Sequence, residues 1–158
     1  MKAFYLISFL LLGLLPQAQP IAKLYVFAQE FTPGMIPEGN EDGSSGNRTR
    51  TRTQYHIYLT QVKGQKLSFD RIRIDTQWYK ISSIDTVKAP VYSEEPEKKL
   101  LVPASSNLVL QLHLGEKCSG PGSQESAKFQ ARLYYRYKGK KLSYGVGRIE
   151  RLPSVLGI

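Results

Sequence analysis

The stretch Ala127-Lys-Phe-Gln-Ala-Arg-Leu-Tyr-Tyr-Arg-Tyr-Lys-Gly-Lys-Lys-Leu-Ser-Tyr-Gly-Val-Gly-Arg-Ile149 decides how this chain is read. Ala131, Leu133, Tyr135 and Tyr137 alternate with Arg132, Tyr134, Arg136 and Lys138. A period of two marks a strand with one buried face. Lys138-Gly139-Lys140-Lys141 then reverses the chain, and Leu142–Ile149 returns beside the first arm as a β-hairpin. Glycine in such a turn supplies the positive φ that a tight reversal needs.

The hairpin has an echo. Lys63-Gly-Gln-Lys-Leu-Ser-Phe69 matches Lys138-Gly-Lys-Lys-Leu-Ser-Tyr144 at an offset of 75 residues. Either hairpin chemistry recurs because few turns close well, or the chain holds two pseudo-equivalent hairpins, one in each sheet of a sandwich. One pair of repeats is thin support for duplication, so the first explanation is preferred. Both return arms also change parity. Leu67 and Phe69 share one face while Ile72 and Ile74 take the other; Leu142, Tyr144 and Val146 likewise part from Ile149. One extra residue restores each pattern, which predicts bulges near Asp70–Arg71 and near Gly145–Gly147.

Further strands are expected at Asn47–Val62, Lys66–Ile74, Gln77–Ser82, Ile84–Lys88, Leu100–Val102 and Leu108–Leu114. In the last, Leu108, Leu110, Leu112 and Leu114 share one face, and Val109, Gln111 and His113 the other. Tyr92–Lys99 reads as a charged loop and Gly115–Ser126 as a polar one. No segment carries a helical stripe. About seven strands with turn signals between them predict an all-β fold. The expected form is an antiparallel β-sandwich of immunoglobulin-like architecture, with a small β-barrel as the alternative. The likeness is one of architecture alone, because a chain with one cysteine lacks the Cys…Trp…Cys hallmark.

The 158 residues suit a single domain, and a formal charge of +9 favours acidic partners. One cysteine excludes an internal disulfide. The chain begins with Lys2 and the apolar run Phe4–Leu15, too short to span a bilayer and suited to a secretory signal. Ala18 and Ala22 each have Pro at the −3 position, whereas Ala28 has Val26 there. The cut is therefore expected after Ala28. That makes residues 1–28 the signal, residues 29–46 a Pro-, Gly- and Ser-rich linker, and residues 47–158 the domain. The product is expected to be exported, to periplasm, cell surface or medium, with no membrane span after cleavage.

The strongest positive signal is a basic-aromatic surface. Arg48, Arg50, Arg52 and Tyr58 fall on the polar parity of the first strand, and Arg132, Tyr134 and Arg136 on that of the hairpin. If those strands share a sheet, they form one cationic face with aromatic platforms. Such a face suits an anionic glycan or lipid, or an envelope protein; export makes nucleic acid the least favoured partner. The weak metal candidates are His113 and Cys118, five residues apart, with His56 distant in sequence; no repeated ligand spacing is present, and no metal or cofactor is expected. No Gly-x-Ser-x-Gly elbow or phosphate loop appears, and the carboxylates are scattered. The expectation is a noncatalytic binding module. The alternatives are a structural subunit assembling through strand edges as a homo-oligomer, and a small metal or thiol protein built on His113 and Cys118.

Overall fold

The computed structural model describes residues 19–32, 51–93, 98–120 and 128–156. They contain no helix and ten strands: β1 (Ile21–Thr32), β2 (Arg52–Gln61), β3 (Leu67–Ile74), β4 (Gln77–Val87), β5 (Val91–Tyr92), β6 (Leu100–Val102), β7 (Leu108–Cys118), β8 (Ala131–Tyr137), β9 (Lys140–Val146) and β10 (Glu150–Leu156). Eight form one curled sheet in the order β10-β1-β2-β7-β4-β3-β8-β9, and β5 and β6 form a small second sheet. All neighbours in the large sheet are antiparallel except β1 and β10, which run parallel. The fold is thus the expected all-β one, with a sandwich-like core made by a single sheet folded over on itself.

The core explains the curl. Ile21, Leu24 and Val26 of β1, Ile57 and Leu59 of β2, and Leu110 and Leu112 of β7 face Ile72 and Ile74 of β3 and Ala131, Leu133 and Tyr135 of β8. Two apolar faces at opposite ends of one sheet leave water by meeting each other. β10, β1, β2 and β7 make the first layer; β3, β8 and β9 make the second. The β9 end closes toward β1, where the Tyr144 hydroxyl donates to the Ala22 carbonyl over 3.4 Å. β4 joins the layers. Its first residues pair with β3 (Arg71↔Lys80 to Ile74↔Gln77), and its pairing with β7 shifts register twice, between Tyr79 and Ile81 and between Ile81 and Ser83. Such irregularities bend and twist a strand, so the two short strands expected at Gln77–Ser82 and Ile84–Lys88 are one bent strand.

A smaller cluster covers the outside of the first layer. Phe27, Tyr58, Val109 and Leu152 point away from the main core and are capped by Leu101 and Val102 of β6. β10 was hidden from sequence patterning by Pro153. It is tolerated there because β10 lies at the sheet edge and pairs on one side, with β1.

Turn chemistry follows the backbone. The β8–β9 reversal is a two-residue turn closed by Tyr137↔Lys140, with positive φ at both Lys138 (49°) and Gly139 (76°). The expected hairpin is therefore present, with a tighter turn. Its echo is not a hairpin: Gly64 has φ 79°, but β2 pairs with β1 and β7 while β3 pairs with β4 and β8. The same short motif reverses the chain within a layer at Gly139 and carries it between layers at Gly64. A register shift does fall between Phe69 and Arg71, as the parity change of β3 predicts. The second predicted bulge is corrected. β9 stays in register with β8 to Val146, and Ile149 changes side because the strand has ended.

The domain boundary also differs from expectation. Ile21–Ala28, assigned to the exported leader, forms most of β1, and Gln29–Thr32, assigned to the linker, completes it. Leu24 and Phe27 are buried in the two clusters. An apolar run beside a leader has the same composition as a core strand, and composition alone does not separate them. Met1–Leu15 and residues 33–46 of the expected linker lie outside the described residues.

Candidate functional site

The expected basic-aromatic face divides between the two layers. Arg52 is exposed at the start of β2. Arg132, Tyr134 and Arg136 lie on β8, on the outer side of the second layer, with three strands between β2 and β8. Arg52 and the β8 residues therefore do not form one surface. Tyr58 corrects the parity argument directly: it points outward as expected but is 5% exposed, beneath the β6 cap and edge-on to Phe27 at 6.4 Å. Arg48 and Arg50 lie outside the described residues.

The second layer nevertheless builds a cationic face without β2. Paired residues on neighbouring strands project to the same side. One row across the sheet is Trp78, Arg73, Arg132 and Gly145; the next is Lys80, Arg71, Tyr134 and Ser143; Ser68, Arg136 and Lys141 make a third. Arg71, Arg73, Lys80, Arg132, Arg136 and Lys141 thus share one face. Among the described residues of these four strands the acids are Asp70 and Asp85. Asp70 pairs with Arg71 at 3.2 Å, whereas Asp85 lies on the far half of β4 and meets His113.

These cations have different work. Arg73 is 8% exposed, and its Nη2 donates to the Phe129 carbonyl over 3.2 Å, which ties down the segment before β8. The Arg132 guanidinium lies 4.9 Å from the centre of the Phe129 ring. That ring packs on Gly145, where a Cβ would come within 2.6 Å of it. Trp78 and Tyr134 stack at 5.1 Å with their planes 36° apart. Lys80, Arg136 and Lys141 are exposed and lie around this aromatic pair.

A cleft opens on the first layer. β2 and β7 pair from Gln61↔Leu108 to Ile57↔Leu112. Past that point β2 continues along β1 to Arg52, and β7 continues along β4 to Cys118. The fork between them, walled by Tyr92, Ser93 and Leu101, encloses about 530 Å³. His56 and His113 both line it, so the structure brings together two histidines that are 57 positions apart in the chain. The signal was available: both sit on the outward parity of strands that pair.

Each imidazole is held. Gln29 Nε2 donates to the Pro153 carbonyl over 3.1 Å, which turns its Oε1 toward His56 Nε2 at 3.0 Å. His113 Nε2 lies 2.9 Å from Asp85 Oδ2. An amide oxygen and a carboxylate accept, so in both rings Nε2 carries the proton. Tyr55 and Tyr79 meet at 6.1 Å, linking β2 to β4. Burial raises both phenol pKa values; the Tyr79 phenol and Asp75 add to the effect on Tyr55, which Arg151 partly offsets, and Asp75 adds to that on Tyr79.

The pairing of His113 with Cys118 is corrected. Both lie on β7, where five extended residues separate them by about 17 Å. Cys118 sits opposite Trp78, away from the fork. Among the described residues no group of three His, Cys, Asp or Glu side chains is placed to hold a metal ion.

Comparison with protein-family models, with curated proteins and with solved structures found no match to this chain.

Proposed function

We propose that this protein is an exported, noncatalytic binding module whose outer β4–β3–β8–β9 face holds an acidic glycan. The observation that carries the reading is the cross-strand register, which sets Lys80, Arg71, Arg136 and Lys141 around the stacked Trp78–Tyr134 pair. Cations there would meet carboxylate or sulfate groups, and the half-buried aromatic pair would meet the apolar side of a sugar ring. Guanidinium and ammonium groups at neutral pH hold anions but supply neither a nucleophile nor a base, so the face suits binding rather than catalysis.

The test is binding to immobilised heparin and polygalacturonate across a salt series. Wild type should be retained at low salt and elute as salt screens the contacts. Lys80→Ser, Arg136→Ser and Lys141→Ser together should weaken binding about tenfold or more and flatten the salt dependence by roughly one unit of log–log slope per cation removed. Arg52→Ser, on the other layer, should leave it unchanged. Equal retention of the triple variant refutes the assignment.

One observation favours assembly through strand edges as a second reading. Ile81–Val87 of β4 pairs with β7 on one side and extends beyond the β3 ladder, with Ile84 43% exposed. An open edge invites another strand. A mass that rises with concentration on a sizing column, and falls with Ile84→Lys, would support that reading over the first.

A further inference from the structure

The chain has a formal charge of +9, yet among the described residues none of the side chains lining the cleft at the β2–β7 fork is Lys, Arg, Asp or Glu. The Asp85 carboxylate stands beside the cleft, bonded to His113 and opposite Gln111. Hydrogen-bonding groups line it instead. Gln54 stands opposite Gln29, and Gln111 opposite Tyr58, so carboxamides from β1, β2 and β7 open to the same space. Gln29 is engaged in holding His56, and Asp85 holds His113, which leaves Gln54 and Gln111 to address a ligand. Among the described residues two aromatic rings are classed as exposed, Phe31 at 36% and Tyr92 at 54%, and both line this cleft.

We propose that the fork binds an uncharged saccharide of one or two rings. Gln54 and Gln111 hydrogen-bond its hydroxyls, and the Tyr92 ring stacks on its C–H face. A carboxamide carries a donor and an acceptor side by side, which matches a pair of neighbouring hydroxyls. A pyranose also presents an apolar face, which an exposed aromatic ring covers at little entropic cost. Among the described lining residues no cation would meet an anion, and burying an unpaired charge is costly. An extended peptide is disfavoured by length: the lining residues of the parted strands are Gln54–His56 and Leu112–Leu114, against the roughly five or six residues of a typical strand. The cleft lies on the opposite layer from the cationic face, so this proposal stands or falls independently of the acidic-glycan reading.

The experiment is saturation-transfer NMR with calorimetry on the protein, using glucose, galactose, mannose and N-acetylglucosamine and their 1,4-linked disaccharides as probes. At least one probe should bind. Gln111→Ala and Tyr92→Ala should each weaken it about tenfold, in the range of a lost buried hydrogen bond, and Tyr92→Phe should retain it. Raising NaCl to about 0.5 M should not weaken it, since no charge is engaged. The Lys80/Arg136/Lys141→Ser protein should bind equally well. Circular dichroism on each variant checks folding, and Gln54→Ala gives a second readout should Gln111→Ala unfold. No binding by any probe, binding indifferent to Gln54, Gln111 and Tyr92, or displacement of a bound probe by an extended peptide overturns the proposal.

Discussion

A chain that begins at Gln29 should not fold. That truncation removes Ile21, Leu24, Val26 and Phe27, all buried and between 1% and 4% exposed. At ~1.5–3 kcal/mol for each buried side chain, the lost transfer energy is about 6–12 kcal/mol. A compact unfolded state lowers that figure by about a third, yet a domain's whole net stability is about 5–15 kcal/mol. The damage extends beyond these side chains. Among the described residues β10 pairs with β1 alone, and its ladder begins at Phe27↔Glu150 and Ala28↔Arg151. β2 would also lose its partner from Ile21↔Gln61 to Ala28↔Tyr55, leaving a central strand as a bare edge. The assay compares chains beginning at Gln19 and at Gln29, unfolded in urea and followed by Trp78 fluorescence and far-ultraviolet circular dichroism. The longer chain should show one cooperative transition. The shorter should show none, or precipitate. An equal midpoint and slope for the Gln29 chain would refute the reasoning. So would N-terminal sequencing of a stably folded exported product that starts at Gln29. A start before Ile21 is the outcome that the packing of β1 requires.

Three further predictions concern the folded domain. Gly145→Ala places a Cβ against the Phe129 ring and displaces it from Arg132. It should destabilise by about 1–3 kcal/mol as an overpacked contact, measured by urea midpoint, while Gly147→Ala, with nothing within 4 Å, should be near neutral. Leu133→Ala removes a side chain at 0% exposure from the centre of the main core and should cost about 2–5 kcal/mol. Burial raises the phenol pKa values of Tyr55, Tyr79 and Tyr135, so the unfolded chain ionises first and the folded one keeps its protons. Stability from this source is whole below the ordinary tyrosine value near 10 and declines above it. The urea midpoint should fall as the pH rises past the ordinary tyrosine value, and less steeply in Tyr135→Phe.

What was legible followed from period-two patterning. Leu110 and Leu112, Ile72 and Ile74, and Leu133 and Tyr135 all face the core as their parity predicts. What was missed had a physical mask. β1 resembled leader because its apolar residues follow an apolar run. β10 carried Pro153, which an edge position tolerates. Tyr58 obeyed its parity, but the outer face of the first layer is itself covered by β6, and no local pattern signals a cap whose Leu101 lies 43 positions downstream. The cationic face was half visible. Arg132, Tyr134 and Arg136 belong to it, yet their neighbours Arg71, Lys80 and Lys141 come from strands whose order parity does not encode.

Strand order also explains why two unlike surfaces coexist. β7 changes company along its length: Leu108–Leu112 has β2 on one side and β4 on the other, and the remainder keeps β4 while β2 stays with β1. That exchange opens the fork. β4 must then bend to follow β7 and still reach β3, and its register shifts lie between Tyr79 and Ser83. On the β3 side of the bend, Trp78 and Lys80 turn outward beside Arg73 and Arg71. One change of partner thus makes both the gap on the first layer and the cationic platform on the second. Straightening β4 should therefore affect both at once, whereas side-chain changes on either surface should leave the other untouched. If a neutral and an acidic saccharide each bind, the two layers could engage separate parts of one heteropolymer. Linkage through a single rigid sheet would raise the effective concentration of the second contact once the first is made. A saccharide carrying both kinds of unit should then bind more tightly than either unit alone, and that gain should vanish when Gln111→Ala or the triple Lys80/Arg136/Lys141→Ser change removes one of the two contacts.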